Sequence, residues 1–413
     1  MFFNFLFFLY ALIYLPYLLL TGRWYKDYGC RFGIFPTSLK ERLKGGDSVV
    51  WIHAVSVGEI MAIVPLIAKI KAFSPKDTVV VTVTTKTGYA LAQSKLSSSA
   101  VVIPSPLDFS WVTKSFVRLI HPKIYIAAET EIWPNLFNSL YQQHIPIVII
   151  NGRISDVSLG RYKMIQFLLK GILGKVSLFC MQGDLHARRI VELGAPADRV
   201  VTVGNIKFED LSLTSQQVLD LSFLRNRLLW VAGSTHPGEE EIILNVYRRF
   251  KDDCSLVIAP RHVERSASIV KLVESQGLKA VRFSQVSSGV VSPNTVVVVD
   301  TIGQLRSLYA KASFVFVGKS LCVGGGHNII EPAVYAKPIV IGPLMANFRD
   351  ITALFKAQDA VLQVHDDGQL EGAVGRLIND EKLRLELGQK ALEVVRANQG
   401  ALDRTLKLIE KWL

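Results

Sequence analysis

The sequence predicts an α/β protein made of two doubly wound, Rossmann-like domains that face each other across a cleft. Short apolar runs rich in β-forming residues alternate with helical stretches, and this rhythm is interrupted once and then restarts. Runs that are apolar on both faces belong in parallel sheets covered by helices. In addition, a chain of 413 residues exceeds what one ordinary hydrophobic core supports, which favours two domains.

The N-terminal segment is hydrophobic. Residues 1–20, MFFNFLFFLYALIYLPYLLL, carry no charge and are just long enough to cross a bilayer core. They lack the basic start and the small-residue cleavage site of a secretory signal. The stretch that follows, up to residue 45, is rich in lysine and arginine, which favours a cytoplasmic location for everything downstream. A membrane anchor is therefore predicted, and a buried or interfacial hydrophobic helix is the alternative.

The predicted domain boundaries follow from the place where the alternation of strands and helices is interrupted. The polar stretch EDLSLTSQQ separates two series of strands, and open parallel sheets bind their ligands at the carboxyl ends of the strands. We expect an anchor over residues 1–21, a basic juxtamembrane segment over 22–45, an N-terminal Rossmann-like domain over 46–208, a linker over 209–217, a second Rossmann-like domain over 218–385 and a C-terminal helix over 386–413 that can pack back on the first domain.

Charge and residue spacing restrict the partners. A formal net charge of +12 suits a surface that meets nucleic acid, anionic lipid or a phosphorylated substrate. Nucleic acid is disfavoured, because no basic run is interleaved with aromatic residues and no zinc-finger spacing is present. Cys30, Cys180, Cys254 and Cys322 are scattered and are predicted to be reduced core thiols. The sequence has no D-x-D pair, with which many sugar transferases hold a metal, so no metal and no cofactor are expected. No obligate protein partner is evident.

The loop HAVSVGE follows the first strand of the N-terminal domain and leads into a helix. Gly58 is expected to permit a tight turn, and Glu59 opens the helix. An acid here can simply offset the positive end of the helix, which stabilises it by roughly a few tenths of a kcal/mol. The pattern alone leaves open whether Glu59 is a capping charge or a base.

Two further acids follow another strand, in AAETEIWPN. Glu129 and Glu131 are two residues apart, so on an extended segment they point to the same side. They repel one another unless a cation or a hydrogen-bond donor faces them. Lys207, in GNIKF, is a candidate for that cation, and a solvated surface charge is the alternative for it.

Loops of the second domain offer groups that suit an anion. Arg261, after Pro260 in APRHVER, can hold a phosphate through its planar guanidinium. VDTIGQL and the glycine-rich GKSLCVGGGHNIIEPA each lead into a predicted helix, whose free amides can bind a base or a phosphate. Glu331, about one turn into the second of these helices, suits a pair of ribose hydroxyls. The loops predict a bound nucleotide without a P-loop or a dinucleotide signature.

Six motifs occur in order behind the hydrophobic N-terminus: SVGE, ETEIWPN, NGRIS, GNIKF, APRH and GGHNIIEPA. As a set they resemble those of the bacterial 3-deoxy-D-manno-octulosonic acid (Kdo) transferases of lipopolysaccharide assembly, over nearly the whole chain. The resemblance implies a GT-B glycosyltransferase that moves Kdo from CMP-Kdo to the lipid A precursor, lipid IVA. It also implies a location at the cytoplasmic side of the bacterial inner membrane, beside its anionic surface.

The resemblance also implies roles for residues. Glu59 matches the general base of the family, and Lys207 with Glu129 or Glu131 matches groups that support the transition state. The motif Ile302-Gly303-Gln304 often reads M-G-E in the family, so only its backbone contacts are expected to be kept. The implied CMP-binding residues are Pro260, Arg261, Ile302, Gly303, Gln304, Asn328, Ile329, Ile330 and Glu331, with Gly324, Gly325, Gly326 and His327 as a candidate donor loop.

The chemistry of the implied reaction agrees with these roles. An acceptor hydroxyl needs a carboxylate to take its proton as it attacks, and a monophosphate leaving group offers no chelating pair for a metal. We therefore expect a metal-independent, inverting single displacement in which Glu59 deprotonates the acceptor. The alternatives are another GT-B nucleotide-sugar enzyme, such as a UDP-sugar transferase or epimerase, and a membrane-anchored homologue that binds without catalysing.

Overall fold

The computed structural model describes residues 4, 7, 8, 12, 27–43, 48–209, 227–286, 292 and 294–413. The chain divides between Asp210 and Leu211, and again between Asn398 and Gln399, into two compact units. Each unit holds one seven-stranded sheet whose neighbouring strands are parallel. The predicted α/β fold with two parallel sheets is therefore confirmed.

The predicted anchor, residues 1–21, lies outside the described residues except at four positions, as does the predicted linker except for Glu209. Across the described part of the chain, no helix is both long and apolar enough to cross a membrane. At the N-terminus, Asn4 Oδ1 accepts a 3.0 Å hydrogen bond from the Ser110 amide, and the Phe7 ring lies edge-on to Phe109 at 4.9 Å. Both side chains therefore contact the first unit.

The sheet of the first unit is doubly wound. Its strand order is β3-β2-β1-β4-β5-β6-β7. The order reverses between β1 and β4, so the carboxyl ends of these two strands flank the topological switch point where such sheets bind ligands. The strands are Val49–Ala54 (β1), Thr78–Val83 (β2), Val101–Pro104 (β3), Ile124–Ala128 (β4), Ile147–Gly152 (β5), Leu178–Met181 (β6) and Val200–Thr202 (β7).

Apolar side chains cover both faces of this sheet. Trp51 of β1 belongs to one buried cluster and its neighbours Val50 and Ile52 belong to another, as expected for alternate residues of a strand. The α-helices are Thr37–Leu43, Val57–Phe73, Lys86–Leu96, Ser110–Ile120, Pro134–Tyr141, Asp156–Met164, Gln166–Leu173, Asp184–Glu192 and Ala401–Ile409, and the 3-10 helices are Tyr28–Phe32, Ala197–Arg199, Ile206–Phe208 and Glu410–Trp412.

Residues 27–43, in the predicted basic juxtamembrane segment, pack against the first unit. Cys30 and Leu39 belong to the buried cluster that contains Trp51. Arg31 is only 4% exposed, because its Nε donates to the Ser105 carbonyl at 3.1 Å and its guanidinium lies 5.2 Å from the centroid of the Tyr28 ring. The hydrogen bond and the cation–π contact offset the cost of burying the Arg31 charge.

The C-terminal end of the chain also belongs to the first unit. Residues 386–413, predicted as one helix, contain the end of the helix Glu381–Ala397 and the whole helix Ala401–Ile409, with Gly400 between them at a φ of 88°. The predicted start at residue 386 lies inside the first of these helices, because its charged pattern runs on unbroken from residue 381. Leu402 joins the buried cluster of Val50, and Arg404 Nε donates to the Val203 carbonyl at 2.8 Å.

The second unit has a sheet of order β10-β11-β9-β8-β12-β13-β14, which reverses between β8 and β12. Its strands are Leu228–Thr235 (β8), Cys254–Pro260 (β9), Lys279–Arg282 (β10), Thr295–Val298 (β11), Phe314–Val317 (β12), Ile339–Ile341 (β13) and Leu362–Gln363 (β14). Its α-helices are Glu239–Phe250, Ser266–Ser275, Leu305–Lys311, Ile330–Ala333, Arg349–Ala357, Asp367–Asn379 and Glu381–Ala397, and its 3-10 helices are Val263–Arg265, Phe283–Gln285 and Ala346–Phe348.

The four cysteines are free thiols, and three of them are buried as predicted. Cys322 is exposed, which corrects the prediction that all four are core residues. The reason is its place in the loop after β12, beyond the end of the strand that enters the core.

Candidate active site

Glu59 lies just beyond the carboxyl end of β1. The helix begins at Val57 with Ser56 as its N-cap, and Ser56 Oγ accepts a 3.4 Å hydrogen bond from the Glu59 amide. In return the Glu59 carboxylate accepts from the Val55 amide at 2.6 Å and from Ser56 Oγ at 2.8 Å. These reciprocal bonds form a variant of the capping box in which Glu59 accepts from the amide before the N-cap, so Glu59 does cap its helix. Gly58 lies inside the helix and has no positive φ, so the tight turn predicted there is wrong.

The environment of Glu59 also alters its acidity. The residue is 6% exposed, and burial raises the pKa of its carboxyl. The Val55 amide lowers that pKa, Glu129 raises it, and the Lys207 ammonium lowers it. A carboxylate with a raised pKa is a stronger base than a free one, and each carboxylate oxygen has a second lone pair beyond the one used in the cap. The capping role and a basic role are therefore compatible.

Glu129 and Lys207 form an ion pair beside Glu59. Lys207 Nζ lies 3.0 Å from Glu129 Oε1, and both side chains are about one-quarter exposed, at 25% and 26%. Lys207 is held in the 3-10 helix Ile206–Phe208, where the Asn205 side chain accepts from its amide at 3.0 Å. The structure thus brings the lysine of GNIKF to the first acid of AAETEIWPN.

Glu131 takes no part in that ion pair. Glu129 has a φ of 59°, which is left-handed, so the segment is not extended and the expectation that both acids point the same way is wrong. Among the described residues, Glu131 has no ion pair. Burial, followed by the nearby charges of Glu59 and Glu129, raises the pKa of Glu131 to about 8. Glu131 therefore carries a proton at neutral pH.

In the second unit, Pro260 ends β9 and Arg261 follows it. The Arg261 amide donates to the Thr235 carbonyl of β8 at 3.1 Å, while the side chain is exposed. Within the described ranges, the Arg261 side chain has no acidic partner. An unpaired guanidinium at the carboxyl edge of the sheet is suited to an anion.

The segment around Gly303 starts a short helix. β11 ends at Val298, and Asp300, two residues beyond it, accepts a 2.9 Å bond from the Ser284 amide. Gly303 has a φ of 98°, and Ile302 is 85% exposed. Gln304 precedes the helix, and its buried Oε1 has no hydrogen-bond partner among the described residues.

Two amides of the glycine-rich loop are hydrogen-bonded within the protein and are not free for an anion, contrary to expectation. The Gly325 amide donates to the Leu344 carbonyl at 2.9 Å and the Gly326 amide to the Lys319 carbonyl at 2.7 Å. A Cβ on Gly326 would lie 2.4 Å from Met345 Sδ, so close chain approach explains this glycine. Gly324 is exposed.

The helix after that loop begins later than predicted, so Glu331 is its second residue and does not lie one turn in. It covers only Ile330–Ala333, so His327 and Asn328 precede it and Ile329 is its N-cap position. Asn328 Oδ1 accepts from the Ile330 amide at 3.1 Å, and Asn328 Nδ2 donates to Glu331 Oε1 at 3.4 Å. Asn328 therefore orients Glu331.

Two residues of this region were missed by the sequence reasoning, both in the stretch GSTHPGEEE after β8. His236 Nε2 lies 3.1 Å from His327 Nε2. Glu239 is fully buried, and its carboxylate accepts from the amides of His236, Lys319, Ser320 and Leu321 at 2.8–3.0 Å. The sequence signal that could have identified both residues is a strand followed by His-Pro-Gly and three acids. Glu239 thereby holds the loop after β12 against β8.

The two units thus present different chemistry at the carboxyl edges of their sheets. The first has a basic carboxylate, a protonated acid and an ion pair, which suits proton transfer. The second has arginine, lysine and histidine side chains, which suit an anion. Over the described residues, no three histidine, cysteine, aspartate or glutamate side chains are grouped as metal ligands.

Comparisons with known proteins agree with this arrangement. Residues 26–210 match the family model described as 3-deoxy-D-manno-octulosonic-acid transferase (kdotransferase). The chain is 33% identical to the 3-deoxy-D-manno-octulosonic acid transferase of Haemophilus influenzae over 88% of its length and 87% of that relative. It is also 33% identical to a protein of the same name from Rickettsia felis, over 89% of this chain and 80% of the relative.

A solved structure shares the fold. The UDP-GlcNAc 2-epimerase of Neisseria meningitidis, bound to UDP-GlcNAc, matches 88% of this chain and 100% of its own with a TM-score of 0.60. Its sequence identity is 14%, so the likeness concerns the fold alone.

Proposed function

This chain belongs to the family of 3-deoxy-D-manno-octulosonic acid (Kdo) transferases, and we propose that it transfers Kdo from CMP-Kdo to the lipid A precursor, lipid IVA. Membership of the family makes it a glycosyltransferase that transfers Kdo in lipopolysaccharide biosynthesis. The observation that carries the finer proposal is the grouping of Glu59 with the Glu129–Lys207 pair at the carboxyl ends of β1 and β4. This edge is where an open parallel sheet binds its ligands.

Glu59 is the general base in this proposal. It takes the proton of the acceptor hydroxyl, whose oxygen attacks the anomeric carbon of Kdo. The bond from that carbon to the phosphate oxygen breaks, and its electron pair leaves with CMP. A single displacement from the side opposite the leaving group inverts the configuration. The raised pKa of the buried Glu59 carboxyl supports this role.

The neighbouring residues keep Glu59 effective. Lys207 neutralises Glu129, so Glu59 does not face a second unpaired carboxylate. Glu131 is protonated at neutral pH and can donate a hydrogen bond to an acceptor oxygen. We assign Glu129 and Lys207 to charge balance and Glu131 to orientation of the acceptor.

The second unit holds the donor in this proposal. Arg261, with its unpaired guanidinium, stabilises the charge that the CMP phosphate gains as it leaves. Pro260, Ile302, Gly303 and Gln304 contact the nucleotide, as do residues 328–331. We propose that the transfer needs neither a metal nor a cofactor, since the sequence has no D-x-D pair and the leaving group is a monophosphate.

We also propose that the reaction takes place at the cytoplasmic face of the bacterial inner membrane, with residues 1–21 as the anchor. The uncharged run over residues 1–20 supports the anchor. The first unit also exposes Met164 (80%) and Phe167 (77%) close in sequence to the exposed Arg161 and Lys163. Apolar side chains beside basic ones are typical of surfaces that bind anionic lipid.

The proposal is tested by incubating the purified full chain with CMP-Kdo and a tetraacylated, bisphosphorylated lipid A precursor in EDTA. Mass spectrometry should show products heavier by one or more Kdo residues, and the number of increments gives the stoichiometry. Transfer that stops in EDTA and returns with a divalent cation would refute metal independence. Binding of UDP in preference to CMP would instead favour a UDP-sugar enzyme.

A further inference from the structure

Three loops of the second unit bring cationic or ionisable side chains together around His236. His236 follows β8, Arg261 follows β9 and Lys319 follows β12, while His327 comes from the loop that Lys319 begins. β8 and β12 flank the switch point of this sheet, where a ligand binds. In the described part of the chain, neither Arg261 nor Lys319 has a side-chain ion pair. The surroundings of His236 are therefore positive.

His236 and His327 form a ring pair at this place. Their Nε2 atoms lie 3.1 Å apart, the ring centroids lie 5.3 Å apart and the ring planes differ by 23°, so the two rings meet edge to edge. At that distance one Nε2 must donate and the other must accept. In the neutral pair, the ring that donates through Nε2 has a bare Nδ1, and the ring that accepts carries its proton on Nδ1.

This geometry lets the pair take up one proton and no more. A proton added to the bare Nδ1 leaves the Nε2 contact intact, and each ring then carries an N–H on Nδ1. A second proton would have to go to the accepting Nε2, where two N–H groups would face each other at 3.1 Å. The singly protonated pair thus combines one positive charge with an Nδ1–H donor on each ring.

The neighbours keep the pair neutral when no anion is present. Burial, then Arg261, His236, Lys319 and His262, lower the pKa of His327 to about 3. The pKa of His236 is lowered by burial and then by Lys319, His262, Arg265 and Arg261. An anion placed among these cations acts in the opposite direction and favours protonation.

The nearby acids do not offset these cations at the rings. Glu239 is turned to backbone amides, including that of His236 at 2.9 Å. Glu240 pairs with Arg265 at 2.8 Å, and Glu264 lies 3.6 Å from His262. Glu331 accepts from Asn328. An incoming anion is therefore the group that can balance a proton on the pair.

We propose that the His236–His327 pair takes up one proton when the phosphate of CMP or of the sugar donor binds, so that donor binding is linked to protonation. The inference rests on the proposed function, which identifies the anion as a cytidine monophosphate. The donor phosphodiester carries one negative charge and the released monoester carries two. The proton on the pair balances the charge that the phosphate gains when its bond to the anomeric carbon breaks.

The test is calorimetric titration of the full chain with CMP at pH 7.5, in buffers that differ in ionisation enthalpy. Because the second pKa of a phosphomonoester is about 6, CMP is mainly a dianion at this pH and contributes few protons itself. We expect an uptake of about 0.5 to 1 proton per CMP, with a Kd that falls roughly three- to tenfold per pH unit as the pH decreases. Cytidine, which lacks the phosphate, should cause no uptake.

Variants locate the proton. In the double variant His236→Gln/His327→Gln neither side chain can take up a proton, so its uptake should fall to near zero and CMP should bind more weakly. His365→Asn is the matched control, since His365 is exposed and lies in the loop before the helix Asp367–Asn379. CMP binding without uptake, or unchanged uptake in the double variant, would overturn this inference alone. No CMP binding by the folded wild type would overturn the proposed donor site as well.

Discussion

Lys207 Nζ lies 3.0 Å from Glu129 Oε1, and this ion pair gives the three acids at the edge of the first sheet different environments. Glu129 is neutralised by the lysine. Glu131 is left with a proton, because burial and the neighbouring carboxylates raise its pKa to about 8. Burial raises the pKa of Glu59, and the Lys207 ammonium lowers that pKa and so opposes the effect of burial. Lys207 thus acts in the direction that keeps Glu59 ionised and able to act as a base near neutral pH.

The first prediction concerns that cation. In Lys207→Met, Glu129 loses its partner and the pKa of Glu59 rises further. Because a general base must be ionised, the acidic limb of the pH–rate profile should move to higher pH. At neutral pH, kcat/KM should fall by at least about tenfold. Lys95→Met, at an exposed position, is the control and should leave the profile unchanged. An unshifted acidic limb in Lys207→Met would remove Lys207 from this role.

The second prediction concerns the proton on Glu131. If the neutral acid orients the acceptor, kcat/KM falls as the pH rises through about 8, where Glu131 ionises. Glu131→Gln imitates the neutral form, so it should keep kcat/KM at pH 7 within about threefold and lose this alkaline limb. An alkaline limb that persists in the variant would show that another group causes it.

Glu131→Gln should also change how the stability of the protein depends on pH. The folded pKa of Glu131 lies above the unfolded value, so its stabilising contribution is complete below the unfolded pKa and is lost as the pH rises through about 8. Glu131→Gln should therefore be more stable than the wild type at pH 8.5 in urea denaturation, and this advantage should shrink toward pH 5. An advantage that does not vary with pH would indicate a packing effect instead.

The third prediction compares a buried with an exposed ion pair in the second unit. Glu240 is 1% exposed and accepts from both terminal nitrogens of Arg265, at 2.8 and 3.1 Å. Glu240→Gln should cost about 3 kcal/mol of unfolding free energy, because it leaves a partly buried guanidinium without a counter-charge. Glu371→Gln breaks the more exposed pair with Arg249 and should cost less than about 1 kcal/mol. Equal losses of unfolding free energy in urea denaturation would contradict the larger contribution of the buried Glu240–Arg265 pair.

The fourth prediction uses two glycines within helices. A Cβ on Gly388 would lie 2.0 Å from the Ala336 carbonyl oxygen, so Gly388→Ala should destabilise the unit by about 1–3 kcal/mol or more. Gly372 has nothing within 4 Å of the same position, so Gly372→Ala should stabilise the protein by up to about 1 kcal/mol. Thermal unfolding should show shifts of opposite sign. Shifts of the same sign would mean that the helix Glu381–Ala397 does not approach Ala336 so closely.

The residues predicted best from the sequence are those fixed by local pattern. The position of Glu59 could be predicted because a fully buried strand, β1, leads directly into an N-cap and a helix. The sequence could not establish that Lys207 pairs with Glu129. The two residues are 78 positions apart, and only the sheet order brings them together. The left-handed φ of Glu129 could not be read from its residue type, because glutamate gives no such signal.

The residues that were missed depend on tertiary structure. His236 lies 91 positions from His327, and a single histidine in a polar loop does not indicate a partner. Glu239 looks like an ordinary acid in the first turn of a helix, yet its carboxylate is fully buried by the loop after β12. The return of the helix Ala401–Ile409 to the first unit likewise depends on a surface that two distant parts of the chain build together.

The most direct test of the account is the rate of Kdo transfer by Glu59→Gln with CMP-Kdo and the lipid A precursor both saturating. Glutamine can still serve in the capping box, so the variant should keep its fold, which circular dichroism and thermal unfolding check. We predict that kcat falls by about 10²- to 10⁴-fold, while CMP binding stays as in the wild type. A folded Glu59→Gln enzyme that transfers Kdo within about tenfold of the wild-type rate would contradict the assignment of Glu59 as the base.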